Sequence, residues 1–178
     1  MRKVTYGGAI SLDGFLAGPG QSIDWIRQSD ESRVMMAESF RGVDAMLMGR
    51  KTFEFAQRMG GGPSMKGVTT YILSRTIKEL PKDAVGELVN RDAAEFVGQI
   101  KREAGGNILV MGGGELGSAL IDAGLVDEIG FSIHPVLLGA GVPAFRPFRR
   151  RVELELAETR SIAPGCVMVR YRVSSRGS

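Results

Sequence analysis

Apolar positions along this chain keep two rhythms. Short apolar runs of strand length occur at residues 4–12, 43–48, 68–73, 88–90 and 108–111. Between them, residues 30–40, 52–58, 92–104 and 115–123 read as helices. In the third of these Ala93, Phe96, Val97 and Ile100 share one face, and in the fourth Leu116, Ala119, Leu120 and Ala123 do. Ser29 and Asp92 stand where N-caps belong. After residue 124 the helical rhythm stops. Residues 128–134, 152–156 and 167–173 read as strands, the last alternating with Val167, Val169, Tyr171 and Val173 on one side, which suits antiparallel pairing. Residues 15–22, 60–67 and 136–148 are rich in glycine or proline and read as loops, and the tail from Ser174 reads as frayed. Strands alternating with helices, followed by strands alone, predict an α/β fold in three layers: a mainly parallel central sheet, helices on both faces and an antiparallel C-terminal hairpin. One domain over residues 1–178 is expected.

Three strand ends carry ligand-ready chemistry. The stretch NILVMGGGELGSALID, residues 107–122, runs from strand through Gly112, Gly113 and Gly114 into a helix. Glycine tolerates positive φ and lets a backbone approach a ligand closely. Free N–H groups and the positive end of a helix meet there, the geometry of an anion site. Gly112, Gly114 and Gly117 also satisfy G-x-G-x-x-G, a pattern that a plain tight turn produces as well. The second end is Gly49-Arg50-Lys51-Thr52, two cations at a helix start, where an anion would offset their repulsion from the helix dipole and solvent would simply solvate them. The third is Ser74-Arg75-Thr76. Parallel sheets bind ligands at the carboxyl ends of their strands, so three such ends form one groove, suited to a dinucleotide with an additional phosphate. A Rossmann fold fits less well, because its glycine turn opens the domain and its ribose-binding acid closes the next strand. Here Asp127 and Glu128 open that strand instead.

Composition narrows the classes. Glycine reaches 25 of 178 residues, about twice the usual ~7%. Net charge is +3, a mild excess that suits a small anionic ligand and is too diffuse for nucleic acid. The cluster Arg146, Arg149, Arg150 and Arg151 reads as a solvated turn. A single cysteine, Cys166, expected as a packed core thiol, and a single histidine, His134, exclude a disulfide and argue against a zinc site, so no metal is expected. The first residues hold no long apolar segment and no apolar run reaches 18 residues, so a soluble, cytoplasmic protein without a membrane partner is expected.

At these same residues the chain resembles a known fold family. Met48-Gly49-Arg50-Lys51-Thr52-Phe53-Glu54 looks like the cofactor signature of dihydrofolate reductases, Ile72-Leu73-Ser74-Arg75 resembles their second cofactor segment, and Met111-Gly112-Gly113-Gly114 their third. Ser11-Leu12-Asp13-Gly14 and the stretch from Pro135 to Pro143 resemble the reductase domain of the bifunctional deaminase-reductases of riboflavin biosynthesis, which has stand-alone members. The resemblance implies a dihydrofolate-reductase-like fold, a homodimer, NADPH as cofactor, and hydride transfer to a small pterin-, pyrimidine- or carbonyl-type substrate. It implies cofactor contacts at Gly49, Arg50, Lys51 and Thr52, at Leu73, Ser74 and Arg75, and at Gly112, Gly113, Gly114, Glu115 and Leu116. A nucleotide-sensing module that keeps the groove without the chemistry is the alternative. The substrate stays open, because Gly49-Arg50-Lys51 stands where riboflavin reductases carry Asp-Asp-Pro and no folate-tail arginine can be assigned. Dihydrofolate reductases carry their proton-donating acid on the first helix, after a tryptophan. Here Trp25 precedes Asp30 and Glu31. Asp30 is expected as the catalytic acid, since it shares a face with Val34 and Ala37, ahead of Glu31 and Asp24. Acids in a first helical turn are also favoured by the dipole alone.

Overall fold

The computed structural model describes residues 1–60 and 65–174. Part of the predicted 60–67 loop and all but the first residue of the predicted frayed tail therefore lie outside the described residues. In chain order the elements are β1 (Val4–Ser11), β2 (Phe15–Ala17), α1 (Asp30–Ser39), β3 (Val43–Gly49), α2 (Arg50–Arg58), β4 (Thr69–Leu73), β5 (Glu87–Val89), α3 (Ala93–Arg102), β6 (Asn107–Met111), α4 (Gly114–Asp122), β7 (Glu128–His134), β8 (Val142–Pro143), β9 (Leu154–Ile162) and β10 (Cys166–Val173). No helix among the described residues is long and apolar enough to cross a membrane.

Eight strands form one sheet in the order β5-β4-β3-β6-β1-β7-β10-β9. The first six of that order run parallel, and β10 lies antiparallel between β7 and β9. Parallel strands need crossovers, and α2, α3 and α4 supply those from β3 to its neighbour β4, from β5 across two strands to β6, and from β6 past β1 to β7. Alternate residues of β3 show the three layers. Ala45 and Leu47 join a core with Phe96 and Ile100 of α3 and with Leu120 and Ile121 of α4. Met46 and Met48 face the other way and pack with Phe53 of α2 and Ile72 of β4. The predicted architecture therefore holds: a mostly parallel sheet, helices on both faces and an antiparallel C-terminal hairpin.

Several local readings are corrected. Residues 15–22 contain β2, which pairs with β8 inside the predicted 136–148 loop, so two apparent loops form a small second sheet. Strands of two and three residues are too short to show a period. The hairpin strand β9 runs on to Ile162, well past residue 156, and most of it is exposed, so no alternation marks it. The inward face of α4 carries Gly114, Gly117, Ser118, Leu120 and Ile121, while Ala119 and Ala123 are exposed.

Gly117 explains that rotation. A Cβ there would lie 2.6 and 2.7 Å from two ring carbons of Tyr6. Tyr6 is fully buried, with its ring edge-on to Phe131 at 5.3 Å and its hydroxyl donating to the Ala144 carbonyl at 2.6 Å. Burial pushes its hydroxyl pKa far up. The glycine of the apparent third G-x-G-x-x-G position thus admits a core aromatic between α4 and β1. We expect Gly117→Ala to destabilise the fold by about 1–3 kcal/mol through overpacking. For a chain of this size that lowers Tm by roughly 2–12 °C. An unchanged melting temperature would show that the ring is free to yield.

Candidate cofactor groove

Because β4, β3, β6, β1 and β7 are consecutive and parallel, their carboxyl ends fall on one edge. At about 4.8 Å per strand that edge is about 19 Å long. All three predicted junctions lie on it, so residues far apart in the chain are brought together.

The centre is formed by β3 and β6. α2 starts at Arg50 directly after the strand, two residues earlier than predicted, with Gly49 at its N-cap and no side-chain cap. α4 starts after Gly112 and Gly113, whose φ angles are +60° and +67°, and it too lacks a side-chain cap. Two helix N-termini therefore stand side by side with their first N–H groups uncapped, concentrating positive potential at one point. Thr52 packs against the glycine turn, its Oγ1 3.1 Å from where a Cβ on Gly112 would sit. Gly114 cannot carry a side chain, since a Cβ would run into the Pro143 carbonyl and come within 3.0 Å of the Ala144 oxygen. Segment 142–144 thus presses the first turn of α4 into place.

Charges rim this point. Arg50 bonds Glu54 at 2.9 Å along its own helix. Glu115 lies between Lys51 at 3.6 Å and Arg146 at 2.9 Å, and these two cations, Lys51 first, hold its carboxyl below its ordinary pKa. Both cations at the helix start thus have carboxylate partners, an arrangement between the two sequence expectations. Arg75 has no ion pair among the described residues. Four cations (Arg50, Lys51, Arg75, Arg146) against two carboxylates (Glu54, Glu115) leave a surplus of two positive charges.

At the β4 end Ser74 is buried, and its Oγ accepts from the Thr76 and Ile77 N–H groups at 3.2 and 3.0 Å. The Asn90 amide, oriented nitrogen inward, donates to the Ser74 carbonyl at 2.6 Å. Ser74 was expected to hold a phosphate by its hydroxyl. In the structure that hydroxyl braces the turn, and the turn presents the exposed Arg75. Leu73 and Leu116 stand beside these turns, buried and half-buried.

The opposite end of the groove carries a tie that sequence reasoning missed. Asp13 accepts from Ser11 Oγ at 2.6 Å and from the Leu138 and Gly139 N–H groups at 3.1 and 2.7 Å. These bonds, that of Ser11 foremost, lower its pKa. Leu12 N–H donates to the Val136 carbonyl at 2.9 Å, and Ala144 N–H to that of Gly14 at 2.9 Å. The two stretches that resemble the riboflavin reductases are therefore one structural unit. The signal available beforehand was a turn-forming Asp13-Gly14, with nothing to say what it tied.

Beside this tie, at the end of β7, His134 is buried under the edge of Trp25, 5.4 Å between ring centres. Its Nδ1 accepts from the Arg27 N–H at 3.1 Å and lies 3.3 Å from the sulfur of Cys166, a buried thiol as expected. Burial, helped by the Arg27 charge, lowers the His134 pKa. The unfolded chain takes up a proton near pH 6.5 that the folded chain resists, so stability is present above that pH and lost as pH falls through it. We expect denaturation midpoints to drop between pH 7.5 and 5.5, and His134→Asn, in the only histidine of the chain, to remove most of that slope. An identical slope in the variant would assign it elsewhere.

The expected acid does not find its pocket. The Asp30 side chain is 98% exposed and bonds Arg33 in solvent. No residue of α1 is buried. Glu31 accepts from the Ala163 N–H at 2.9 Å, Ser29 Oγ donates to the Ala163 carbonyl at 2.6 Å, and an Arg160–Glu38 pair completes the attachment of this helix. The apparent apolar face at Val34 and Ala37 points outward, so nothing among the described residues of this chain desolvates Asp30.

Residues 2–168 match the model of the RibD C-terminal domain. The chain belongs to that family. Among curated relatives, the Bacillus subtilis (strain 168) protein YyaP, described as uncharacterized, is 30% identical over 181 residues, covering 96% of this chain and 94% of the relative. Among solved structures, a protein of Shewanella sp. PV-4 provisionally named for riboflavin biosynthesis superposes with a TM-score of 0.85 at 20% identity, over 98% of this chain and all (100%) of that one. Dihydrofolate reductase from Enterococcus faecalis, solved with NADP(H), gives 0.68 at 15% identity over 97% of each chain. The family member described here thus has a dihydrofolate-reductase-like fold.

Proposed function

We propose that this protein is an NADPH-dependent reductase that passes a hydride to a small pterin-, pyrimidine- or carbonyl-type substrate, and that it works in the cytoplasm. The observation that carries the reading is the pair of uncapped helix N-termini at the ends of β3 and β6, joined through Thr52 and the Gly112–Gly113 turn. Its donors suit a pyrophosphate. Arg75, one strand further out, suits an additional phosphate on the ribose. NADPH, when bound, supplies the hydride. The family match and the NADP(H)-bound neighbour support this assignment.

The residues of this chain have the task of holding and orienting. Uncapped N–H groups of α2 and α4 bind the phosphates, with Gly49, Arg50, Lys51, Glu115 and Leu116 around them. Trp25, His134 and the Asp13 tie wall the far end of the groove, where the substrate would sit. α1 buries no acid, so this helix offers the reduced bond no desolvated proton donor. That exposure favours a second reading, a sensor that binds NADPH without turnover. Calorimetry with NADPH and NADH, followed by NADPH oxidation over a panel of pterins, pyrimidines and carbonyl compounds, tests both. Binding with turnover supports the reductase and binding alone the sensor. Absence of binding overturns both.

The same proposal includes a homodimer. Val34 and Met36 of α1 are 60% and 62% exposed, and the outer strand β9 exposes Leu154 and Leu156. An open edge with apolar side chains is a surface that folded proteins cover. Light scattering reads the mass directly, and a monomer at micromolar concentration would remove this part of the proposal.

A further inference from the structure

Residues 23–28 lead into α1 beside the end of β7, and few bonds hold them there. Among the described residues they bond to the chain beyond Ser22 at two points, both on Arg27. Its N–H donates to His134 Nδ1 at 3.1 Å and its guanidinium to the Pro164 carbonyl at 3.3 Å. The other bonds, Trp25 Nε1–H to the Ser22 carbonyl and Ile26 N–H to that of Ile23, are local. Trp25 adds its edge-on contact with the His134 ring. One imidazole thus anchors the segment through both residues.

His134 can do so in one protonation state only. A ring nitrogen that accepts from an N–H carries no proton, so the neutral ring has its proton on Nε2, toward Ser132 Oγ at 3.5 Å. A second proton must go to Nδ1, where it would meet the Arg27 N–H donor against donor. The new charge would also be buried, since His134 is 3% exposed. The groups facing the ring give it no relief. On the segment Asp24 is exposed, and Arg27 is a cation whose charge adds to burial in lowering the His134 pKa, burial first. From β10 the Cys166 thiol faces Nδ1 at 3.3 Å, and burial raises its pKa, so it stays neutral. From β1, Ser11 lies beside His134 in register, and the Asp13 carboxylate after it is committed to the Ser11 hydroxyl and the Leu138 and Gly139 N–H groups. At the turn before β10, Glu31 is committed to the Ala163 N–H.

We propose that His134 is a proton-operated latch: neutral, it holds residues 23–28 against the end of β7, and protonated, it releases them and opens the substrate end of the groove. The substrate end is taken from the reading above. The test observes the segment alone, so the latch and the reductase assignment fail separately.

Trp25 is the only tryptophan of the chain, so its emission reports on the segment. A solvated imidazole takes its proton near pH 6.5 and the latched one resists, so the segment is closed above that pH and opens as pH falls through the lowered value. Between about pH 7.5 and 5, Trp25 emission should move to the red and its quenching by acrylamide should rise, as a one-proton titration centred below about pH 6.5, while far-UV circular dichroism stays constant. In His134→Asn the amide oxygen accepts in place of Nδ1 and does not titrate. That variant should keep the neutral-pH emission and quenching of the parent throughout. Constant emission and quenching in the parent overturn the proposal. Dimming without acrylamide access overturns it too, because the ring then takes its proton with the segment in place. Loss of circular dichroism at the same midpoint does so by making the event global unfolding, and the same transition in His134→Asn by placing the proton elsewhere.

Discussion

Gly113→Val is expected to weaken NADPH binding by roughly two orders of magnitude or more. Gly113 has φ +67° and forms the N-cap of α4. A left-handed conformation costs an L-residue about 1–2 kcal/mol, and a β-branched one more. The substituted turn relaxes toward negative φ and turns its N–H groups away from the groove. Losing two charge-assisted contacts of about 1.5 kcal/mol each amounts to about 100-fold. Space alone does not decide the matter, because a Cβ on Gly113 would meet Thr52 Oγ1 at an ordinary 3.5 Å. Gly42→Val provides the control. Gly42 has φ +74° but lies before β3, at the opposite end of that strand, so the backbone strain is matched while the groove is spared. Unchanged NADPH affinity by calorimetry in Gly113→Val would remove the phosphate site from this turn.

The second large effect concerns the choice of cofactor. Arg75→Ala should erase most of the preference for NADPH over NADH while leaving NADH affinity nearly unchanged. A charged contact to a phosphate is worth about 1.5–3 kcal/mol, or about 10- to 150-fold. Arg75 suits the role because it is exposed beside the groove, on a turn fixed by Ser74 and Asn90. The preference should also shrink as salt rises, since the contact lies in solvent. Equal weakening of both cofactors would move Arg75 to the pyrophosphate.

What could be read from the sequence depended on distance along the chain. Ser29 and Asp92 cap their helices as expected, because a cap is decided by residues two or three positions away. The three strand-end junctions were visible for the same reason, and the parallel order of β4, β3 and β6 then assembled them. Readings that needed a distant neighbour went astray. The buried side of α4 is set by Tyr6, more than a hundred residues earlier, and β2 is a strand only because β8 lies beside it. Asp30 looked like a pocket residue because Val34 and Ala37 follow it at helical spacing. No sheet residue comes to meet that face. Ser74 was legible as a polar strand end, while its commitment to the Thr76 and Ile77 N–H groups was not.

The position of β1 bears on how the molecule is made. Its only neighbours in the sheet are β6 and β7, so Val4 pairs with Ile108 and Ser11 with His134. A nascent chain that has reached Arg102 already carries the apolar first strand, α1, β3, α2, β4, β5 and α3, yet nothing for that strand to pair with. At about 5–20 residues per second, β1 waits roughly 6–25 s on the ribosome before His134 is added. During that time Val4, Tyr6 and Ile10 need a chaperone or a transient contact to stay out of aggregates. The far end of the groove, at His134, closes only when the last third of the chain arrives.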